Sequence, residues 1–251
     1  MPINWPKLLN AANATRVRQQ GGTTDKARMK HLRFVVSLVP AALYDSERAM
    51  WMEFGVRDGS SLRFLANLTG PAQRWHGFDS FKGMPESAID TTKTWRRGQL
   101  TPRSGPFQRV GREALRLPLV PANVRLHPGW FNETLPPFLD RVAGGGHRRA
   151  CHWVAFMHLD ADIYESTHLA LMSVCSRGML RAGTLLSFDE IFATGSSLEQ
   201  TLQHEWRALN DAAKACGFSF VFVSWMRHFS SPYVRAAVRV QSVRSVRRGC
   251  S

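Results

Sequence analysis

The stretch Trp51-Met-Glu53-Phe-Gly55-Val-Arg-Asp-Gly59-Ser-Ser61 decides the fold of this chain. Residues 49–54 are apolar enough for a short buried strand, and the two glycines that follow permit a tight turn in which the backbone approaches a ligand closely. One of the two serines is expected to cap a helix over residues 62–68, whose first amide groups would point at the bound ligand. The stretch therefore predicts a strand, a binding turn and a helix.

A second apolar segment, Trp75-His-Gly77-Phe-Asp79, ends on an acid. It follows the turn at about 20 residues, the distance at which an acid meets ribose hydroxyls in nucleotide-binding units. A dinucleotide fingerprint has G-x-G-x-x-G, whereas this chain has a wider Gly55-x-x-x-Gly59 with Glu53 before it. That order resembles motif I of class I S-adenosylmethionine-dependent methyltransferases, whose cofactor has no pyrophosphate. An ordinary strand-to-helix turn without a ligand is the alternative.

Apolar strands alternate with helical stretches along the chain, which is typical of an α/β fold with a doubly wound, mostly parallel sheet. Seven strands are expected, as in the Rossmann-like class I methyltransferase fold, with helices on both faces. They fall at residues 50–54, 74–78, 124–127, 154–159, 184–188, 218–224 and 236–241.

Three further regions complete the expected organisation. Residues 1–48 are predicted to form a helical N-terminal cover, in which Thr23 or Thr24 opens a helix, and residues 49–243 the main domain. Within it, residues 82–112 are too long for a simple connection and predict a lid or substrate loop, with a disordered insert as the alternative. Residues 244–251 form a basic tail.

Composition narrows the class of protein. The 251 residues are 44% hydrophobic, enough for a sizeable core, and no apolar run reaches the roughly 18 residues of a membrane span. The first residues lack the pattern of a secretory signal, and the four cysteines are scattered without metal-binding spacing. These features predict a reduced, cytoplasmic protein. The net charge of +14 allows weak non-specific contact with nucleic acid, and homo-oligomerisation is left open.

Acidic residues follow two later strands. Asp160 and Asp162 come after the apolar segment that ends at residue 159, and Asp189-Glu190 end the next one. Ligands in an open α/β sheet bind beyond the carboxyl ends of the strands, so these carboxylates are expected to converge. Converging carboxylates repel one another unless a cation joins them, and Mg²⁺ prefers oxygen ligands. The alternative is that Asp160 and Asp189 only cap the helices that follow.

Four sequence blocks resemble the macrocin O-methyltransferase family, in the order in which that family has them. They are Gly77-Phe-Asp79-Ser-Phe-Lys-Gly83-Met-Pro85-Glu86, His127-Pro-Gly129-Trp130-Phe131-Asn-Glu-Thr134-Leu-Pro136, Met157-His-Leu-Asp160-Ala-Asp162-Ile-Tyr164-Glu-Ser166-Thr167 and Phe188-Asp189-Glu190. Asp160 followed by Asp189-Glu190 is also similar to the metal site of catechol O-methyltransferase. The blocks span roughly residues 49–225.

The resemblance implies S-adenosylmethionine as cofactor and a hydroxyl of a small molecule, such as a sugar or another natural product, as methyl acceptor. Glu53, Gly55 and Gly59 would lie near the methionine part, Asp79 near the ribose and the Gly129 region near the adenine, and Ser60 would also bind the cofactor. Asp160, Asp189 and Glu190 would hold Mg²⁺, and Asp160 or Asp162 would accept the hydroxyl proton.

Two positions depart from the pattern of metal-binding relatives. Glu190 stands where those relatives carry Asp or Asn, and Ile163 stands where the catechol enzymes carry a lysine base. A lysine-assisted proton transfer is therefore excluded. A nucleic-acid methyltransferase, favoured by the basic charge, and a catalytically silent cofactor-binding relative are the rival interpretations.

Overall fold

The structure is a computed structural model that describes most of the chain. The described residues are 7, 9–10, 13–17, 23–44, 47–84, 98–102, 106–111, 115–144, 152–193, 204–227 and 233–244. The strands are β1 Thr15–Arg16, β2 Ala49–Phe54, β3 Trp75–Asp79, β4 Phe107–Val110, β5 Leu115–Pro118, β6 Val124–Pro128, β7 Trp153–Leu159, β8 Leu185–Ala193, β9 Phe218–Arg227 and β10 Tyr233–Val243. The helices are α1 Thr24–Val36, α2 Ala41–Tyr44, α3 Ser60–Thr69, α4 Phe131–Gly144, α5 Tyr164–Cys175 and α6 Glu205–Cys216.

Eight strands form one sheet in the order β1-β9-β10-β8-β7-β2-β3-β6. Strands β6, β3, β2, β7 and β8 pair in parallel, and β10 runs antiparallel to both of its neighbours. The chain winds from β2 towards β6 in one direction and from β7 towards β8 in the other, so the order reverses between β2 and β7. Such a reversal opens a crevice at the carboxyl ends of the strands.

The predicted α/β class and all seven predicted strands are confirmed, and β1 adds an eighth strand at the edge. The two strands beside the reversal, β2 and β7, are buried along their whole length. Helices cover both faces, which is why these strands are continuous apolar runs rather than alternating ones. One apolar cluster includes Phe54 and Phe188, and a second includes Trp51 and Trp75.

The N-terminal region contributes more than helices. The Thr23 side chain accepts a hydrogen bond from the Lys26 amide at 3.3 Å, so helix α1 begins where the sequence predicts. Residues Thr15 and Arg16, however, pair in parallel with Ser224 and Trp225 of β9. The first 48 residues thus extend the sheet as well as covering it.

The insertion over residues 82–112 is described in part. Near its start, Met84 forms two backbone hydrogen bonds with Gly98 and Gln99. The antiparallel hairpin of β4 and β5 follows. Residues 85–97, 103–105 and 112 lie outside the described residues. Whether the segment acts as a lid stays a prediction, as does the basic tail, of which only Arg244 is described.

The expectation that the cysteines are reduced is wrong for one pair. Cys175 at the end of α5 and Cys216 at the end of α6 form a disulfide across 41 positions of sequence. Helices α5 and α6 pack side by side and bring the two Cα atoms within 6.0 Å, which no local spacing reveals. Cys151 and Cys250 lie outside the described residues. None of the helices in the described part of the chain has the length and apolar character needed to cross a bilayer.

Candidate functional site

A cavity of about 880 Å³ lies at the carboxyl ends of β2, β3, β7 and β8. Its wall also includes residues of α1, of the insertion and of the start of α4. The volume is within the range of pockets that hold small molecules and cofactors. The reversal of strand order therefore places the opening where the sequence analysis expects the ligand.

The turn after β2 is clamped between its two neighbours. The Gly55 amide donates to the Phe78 carbonyl at 3.0 Å, and the Asp160 amide donates to the Phe54 carbonyl at 2.9 Å. Gly55 has φ +88°, and a Cβ atom on it would overlap the Asp160 carbonyl oxygen. Only glycine therefore fits this position.

Neither serine caps α3 with its side chain, contrary to the prediction. The N-cap is Gly59 with φ +73°, and it makes no side-chain capping bond. The Ser61 hydroxyl instead donates to Glu53 Oε1 at 2.9 Å, and the Ser60 hydroxyl accepts from Arg28 Nη2 at 3.3 Å. The two hydroxyls are used for charged side chains beside the cavity.

Asp79 fixes two turns of the cavity wall. Its carboxylate accepts hydrogen bonds from the Arg57 and Phe81 amides, both at 2.6 Å. Both donors have left-handed backbone, with φ of 52° and 54°. Burial raises the pKa of Asp79 against the lowering effect of these bonds.

The buried His158 lies between two buried acids, Glu53 and the cavity-lining Asp189. His158 Nδ1 lies 3.2 Å from Glu53 Oε2, and its Nε2 lies 4.0 Å from Asp189 Oδ1. His158 and Glu53 are essentially inaccessible to solvent. Although burial disfavours its charged form, the hydrogen bond to Glu53 raises the pKa of His158. His158 therefore holds the Glu53 carboxylate and does not line the cavity.

Asp189 is paired with an arginine on the neighbouring antiparallel strand. Arg235 donates from Nε to Oδ1 at 2.6 Å and from Nη2 to Oδ2 at 3.0 Å, and both residues are buried. Burial opposes ionisation of the carboxyl, but the charge of Arg235 outweighs it and lowers the pKa of Asp189 to about 2. Asp189 is therefore ionised at neutral pH.

Asp160 faces the cavity from the end of β7. Its Oδ2 accepts from Arg28 Nη1 at 2.9 Å, and its side chain keeps 21% of its surface exposed. Burial and the nearby Asp189 raise the pKa of Asp160 to about 6 despite the Arg28 charge. At pH 7 to 8 the group is mostly ionised and can accept a proton.

The predicted Mg²⁺ site at Asp160, Asp189 and Glu190 is not supported by this geometry. Arg235 occupies both oxygens of Asp189, and Arg28 occupies one oxygen of Asp160. Within the described residues, no group of three or more His, Cys, Asp or Glu side chains is arranged to hold a metal ion. The carboxylates converge as expected, but arginines meet them.

Helix capping, the alternative for the two aspartates, does not occur either. The N-cap of α5 is Ile163, and Asp189 lies within β8.

A comparison with protein families matches residues 16–214 to the macrocin-O-methyltransferase (TylF) family. The chain belongs to this family. The predicted family is therefore confirmed.

One curated protein of similar sequence is the 8-demethyl-8-(2,3-dimethoxy-alpha-L-rhamnosyl)-tetracenomycin-C 4'-O-methyltransferase of Streptomyces olivaceus. It is 34% identical over 171 residues, which are 65% of this chain. The match spans 59% of that relative's length.

Solved structures with a similar chain path include the calicheamicin methyltransferase CalS11, at 23% identity and a TM-score of 0.49, with 95% of this chain and 86% of that chain covered. Another is the O-methyltransferase TomG of Streptomyces achromogenes, at 12% identity and a TM-score of 0.45, with 94% and 87% covered.

In this member of the macrocin O-methyltransferase family, the residues predicted to bind the cofactor fall into two groups. Gly55, Ser60 and Asp79 lie on the cavity wall. Glu53 and Gly59 are buried, Glu53 completely, so they shape the wall from behind. Gly129, with φ +139°, precedes the wall residue Trp130. The assignment of these residues to a bound cofactor stays a prediction.

Asp162, the second predicted proton acceptor, also lines the cavity. It adopts left-handed backbone with φ 60° in the turn that leads to α5. Asp160 and Asp162 therefore both remain candidates on geometric grounds.

The sequence analysis missed Arg28 and Arg235, the two cations that meet the carboxylates. Arg235 carried a usable signal, because it is a charged residue between Val234 and Ala236 in an apolar strand. Such a residue needs a buried partner of opposite charge. Arg28 carried no such signal, since a charged residue is ordinary on a helix that also carries Lys26 and Lys30, and its partner lies 132 positions away.

Proposed function

We propose that this chain transfers a methyl group from S-adenosylmethionine to a hydroxyl group on the sugar of a glycosylated natural product. The observation that carries the proposal is the position of Asp160, a partly exposed carboxylate on the cavity wall next to the Gly55 turn. Membership of the macrocin O-methyltransferase family supports the reaction, and the relative named for a rhamnosyl 4'-O-methylation supports the sugar acceptor.

The residues present fit the cofactor. The turn at Gly55 exposes backbone that no side chain obstructs, and the Asp79 carboxylate stands on the same wall with lone pairs left for hydroxyl donors. Trp130 also lines the cavity, and an indole ring is the kind of apolar surface on which an aromatic base stacks. When bound, this cofactor supplies an electrophilic methyl group on a sulfonium and leaves as a neutral thioether.

The chain's own part in the reaction is to orient the acceptor and take its proton. Asp160 would accept the hydroxyl proton, while the bound cofactor would supply the methyl group to the acceptor oxygen and leave as the thioether. Oδ2 of Asp160 is held by Arg28, and within the described residues no hydrogen bond engages Oδ1. Oδ1 is therefore the acceptor of the proton, and Arg28 keeps the carboxylate facing the cavity.

Two matched variants test this assignment. Asp160→Asn removes the proton acceptor and should lower kcat by about 10²- to 10⁴-fold while leaving cofactor affinity nearly unchanged. Asp162→Asn is the control, because asparagine tolerates the left-handed backbone and the residue lines the same cavity. Product would be measured by mass spectrometry with a methyl-labelled cofactor and rhamnosylated acceptors.

Loss of turnover in Asp162→Asn alone would move the proton acceptor to Asp162. A wild-type chain that binds the cofactor by calorimetry but methylates no glycosylated acceptor would favour the catalytically silent interpretation. Cytoplasmic location, expected from the sequence, stays a prediction, and homo-oligomerisation stays open.

A further inference from the structure

Three carboxylates meet three basic side chains at the cavity. Glu53, Asp160 and Asp189 supply the negative charges, and each contacts one basic group: His158, Arg28 and Arg235 respectively. Carboxylates gathered at neighbouring strand ends repel one another unless cations neutralise them. Here the chain itself supplies an arginine for Asp160 and another for Asp189.

The Arg235–Asp189 pair leaves no oxygen of Asp189 without a guanidinium donor. Both bonds are short, at 2.6 and 3.0 Å, and both side chains are more than nine-tenths buried. A divalent ion at this carboxylate would have to displace a bidentate, desolvated partner of the same charge sign. The planar guanidinium already satisfies the carboxylate in charge and in geometry.

Arg28 brings the second cation from the N-terminal part of the chain, before β2. It lies on α1, and its guanidinium bridges Asp160 Oδ2 at 2.9 Å and Ser60 Oγ at 3.3 Å on the cavity wall. It thereby joins the end of β7 to the start of α3. The backbone amide of Glu190, the third predicted ligand, donates to Oε2 of the buried Glu205 at 3.0 Å, which ties β8 to the start of α6.

We propose that Arg28 and Arg235 are the resident cations of this site, so that the reaction proceeds without a divalent ion and Arg28 acts as the positioning residue for Asp160. This inference rests on the proposed function for its catalytic part. Its metal part stands on the paired carboxylates alone. The two parts are therefore tested by different measurements.

The metal part is tested by titrating the purified chain with Mn²⁺ and following the electron paramagnetic resonance signal of the free ion. The wild-type chain should leave that signal unchanged, and a chelator should leave its turnover unchanged. Stoichiometric Mn²⁺ binding that disappears in Asp189→Asn would overturn the proposal. So would turnover that is lost in chelator and restored by Mg²⁺.

The positioning part is tested with Arg28→Met, Arg28→Lys and the control Arg33→Met, an exposed arginine on the same helix. Arg28→Met should lower kcat about 10²-fold with little change in the KM for the cofactor. Guanidinium ion added to the buffer should restore part of that loss, and Arg28→Lys should retain more activity than Arg28→Met. A merely structural role would give no rescue by guanidinium.

Equal kcat in Arg28→Met and Arg33→Met would overturn the positioning role. If the wild-type chain methylates no acceptor, the proposed function fails, whereas the Mn²⁺ titration still decides whether the arginines exclude the metal ion.

Discussion

Asp189 and Arg235 show at the scale of single residues how this chain stabilises a carboxylate inside the protein. The pair is bidentate and buried, so neither charge is solvated by water. Arg177 and Asp140 form a pair of the same chemistry at 2.8 Å, but 66% of the aspartate side chain is exposed. Comparing the two pairs therefore shows how much burial, rather than the ion pair itself, changes the free energy of unfolding when the arginine is removed.

Replacing Arg235 by Met should destabilise the chain by about 3–5 kcal/mol, because a buried carboxylate is left without its counter-ion. The same change at Arg177 should cost less than about 1 kcal/mol, since water solvates the exposed Asp140. Denaturant unfolding of both variants measures the difference. Equal losses would show that burial of the Asp189 pair contributes nothing specific.

Gly55 and Gly70 form a second matched comparison at this scale, because their φ angles are +88° and +85°. Alanine at either site meets backbone strain from the positive φ, about 1–3 kcal/mol. A Cβ atom on Gly55 also meets the Asp160 carbonyl, whereas a Cβ atom on Gly70 has nothing within 4 Å.

Gly55→Ala should therefore lose more stability than Gly70→Ala and should also lose affinity for S-adenosylhomocysteine in calorimetric titration. If Gly55→Ala binds that ligand as the wild type does, the turn has no part in forming the cofactor site.

At the scale of elements, α6 is joined to β8 through a buried acid. Glu205 at the start of α6 is inaccessible to solvent, and its Oε2 accepts from the Glu190 amide at 3.0 Å. Its Oε1 is buried without a hydrogen-bond partner among the described residues. Burial raises the pKa of Glu205 well above its ordinary value of 4.5, so the native chain tends to keep the proton there.

The raised pKa of Glu205 makes the stability of the native chain depend on pH. Above pH 4.5 the unfolded chain releases the Glu205 proton more readily than the native chain, so native stability falls as pH rises towards the folded pKa. Each unit of pH in that window costs about 1.4 kcal/mol. Glu205→Gln cannot ionise and should remove this dependence.

Thermal unfolding at pH 4.5 and pH 8 provides the measurement. Glu205→Gln should match the wild type at the lower pH and exceed it in Tm at the higher pH. The exposed Glu133→Gln change on α4 is the control and should show no such gain. A Glu205→Gln variant that is less stable at pH 8 would mean that ionised Glu205 is favoured in the native chain.

At the scale of the whole molecule, the excess of basic residues is large, with a net charge of +14. Part of the positive charge neutralises buried carboxylates, as Arg28 and Arg235 do. The rest is expected to attract polyanions without sequence preference, because phosphate contacts carry no sequence information.

Binding to a short RNA and to a DNA duplex, followed by fluorescence anisotropy, should therefore be weak and should fall steeply with salt concentration. Competitor RNA at physiological salt should leave methylation of a small acceptor unchanged. Tight, salt-resistant binding of one nucleic acid sequence would instead support the nucleic-acid methyltransferase interpretation.

The sequence by itself determined the class of fold and the family. Hydrophobic runs are local signals, so each of the seven strands could be predicted from its own apolar residues. The alternation of strands and helices then predicted a mostly parallel sheet. The Gly55 turn and Asp79 could be placed at its strand ends because the same local pattern shows where each strand stops.

Only the tertiary structure decided which charges meet. Arg28 reaches Asp160 across 132 positions and Arg235 reaches Asp189 across 46, so no window of sequence contains either pair. The same limit hid the Cys175–Cys216 disulfide, whose cysteines adjoin because two helices pack together. A converging set of carboxylates can be neutralised by a metal ion or by arginines, and sequence spacing is the same in both cases. Packing of α1 and β10 against the strand ends brings Arg28 and Arg235 to these carboxylates.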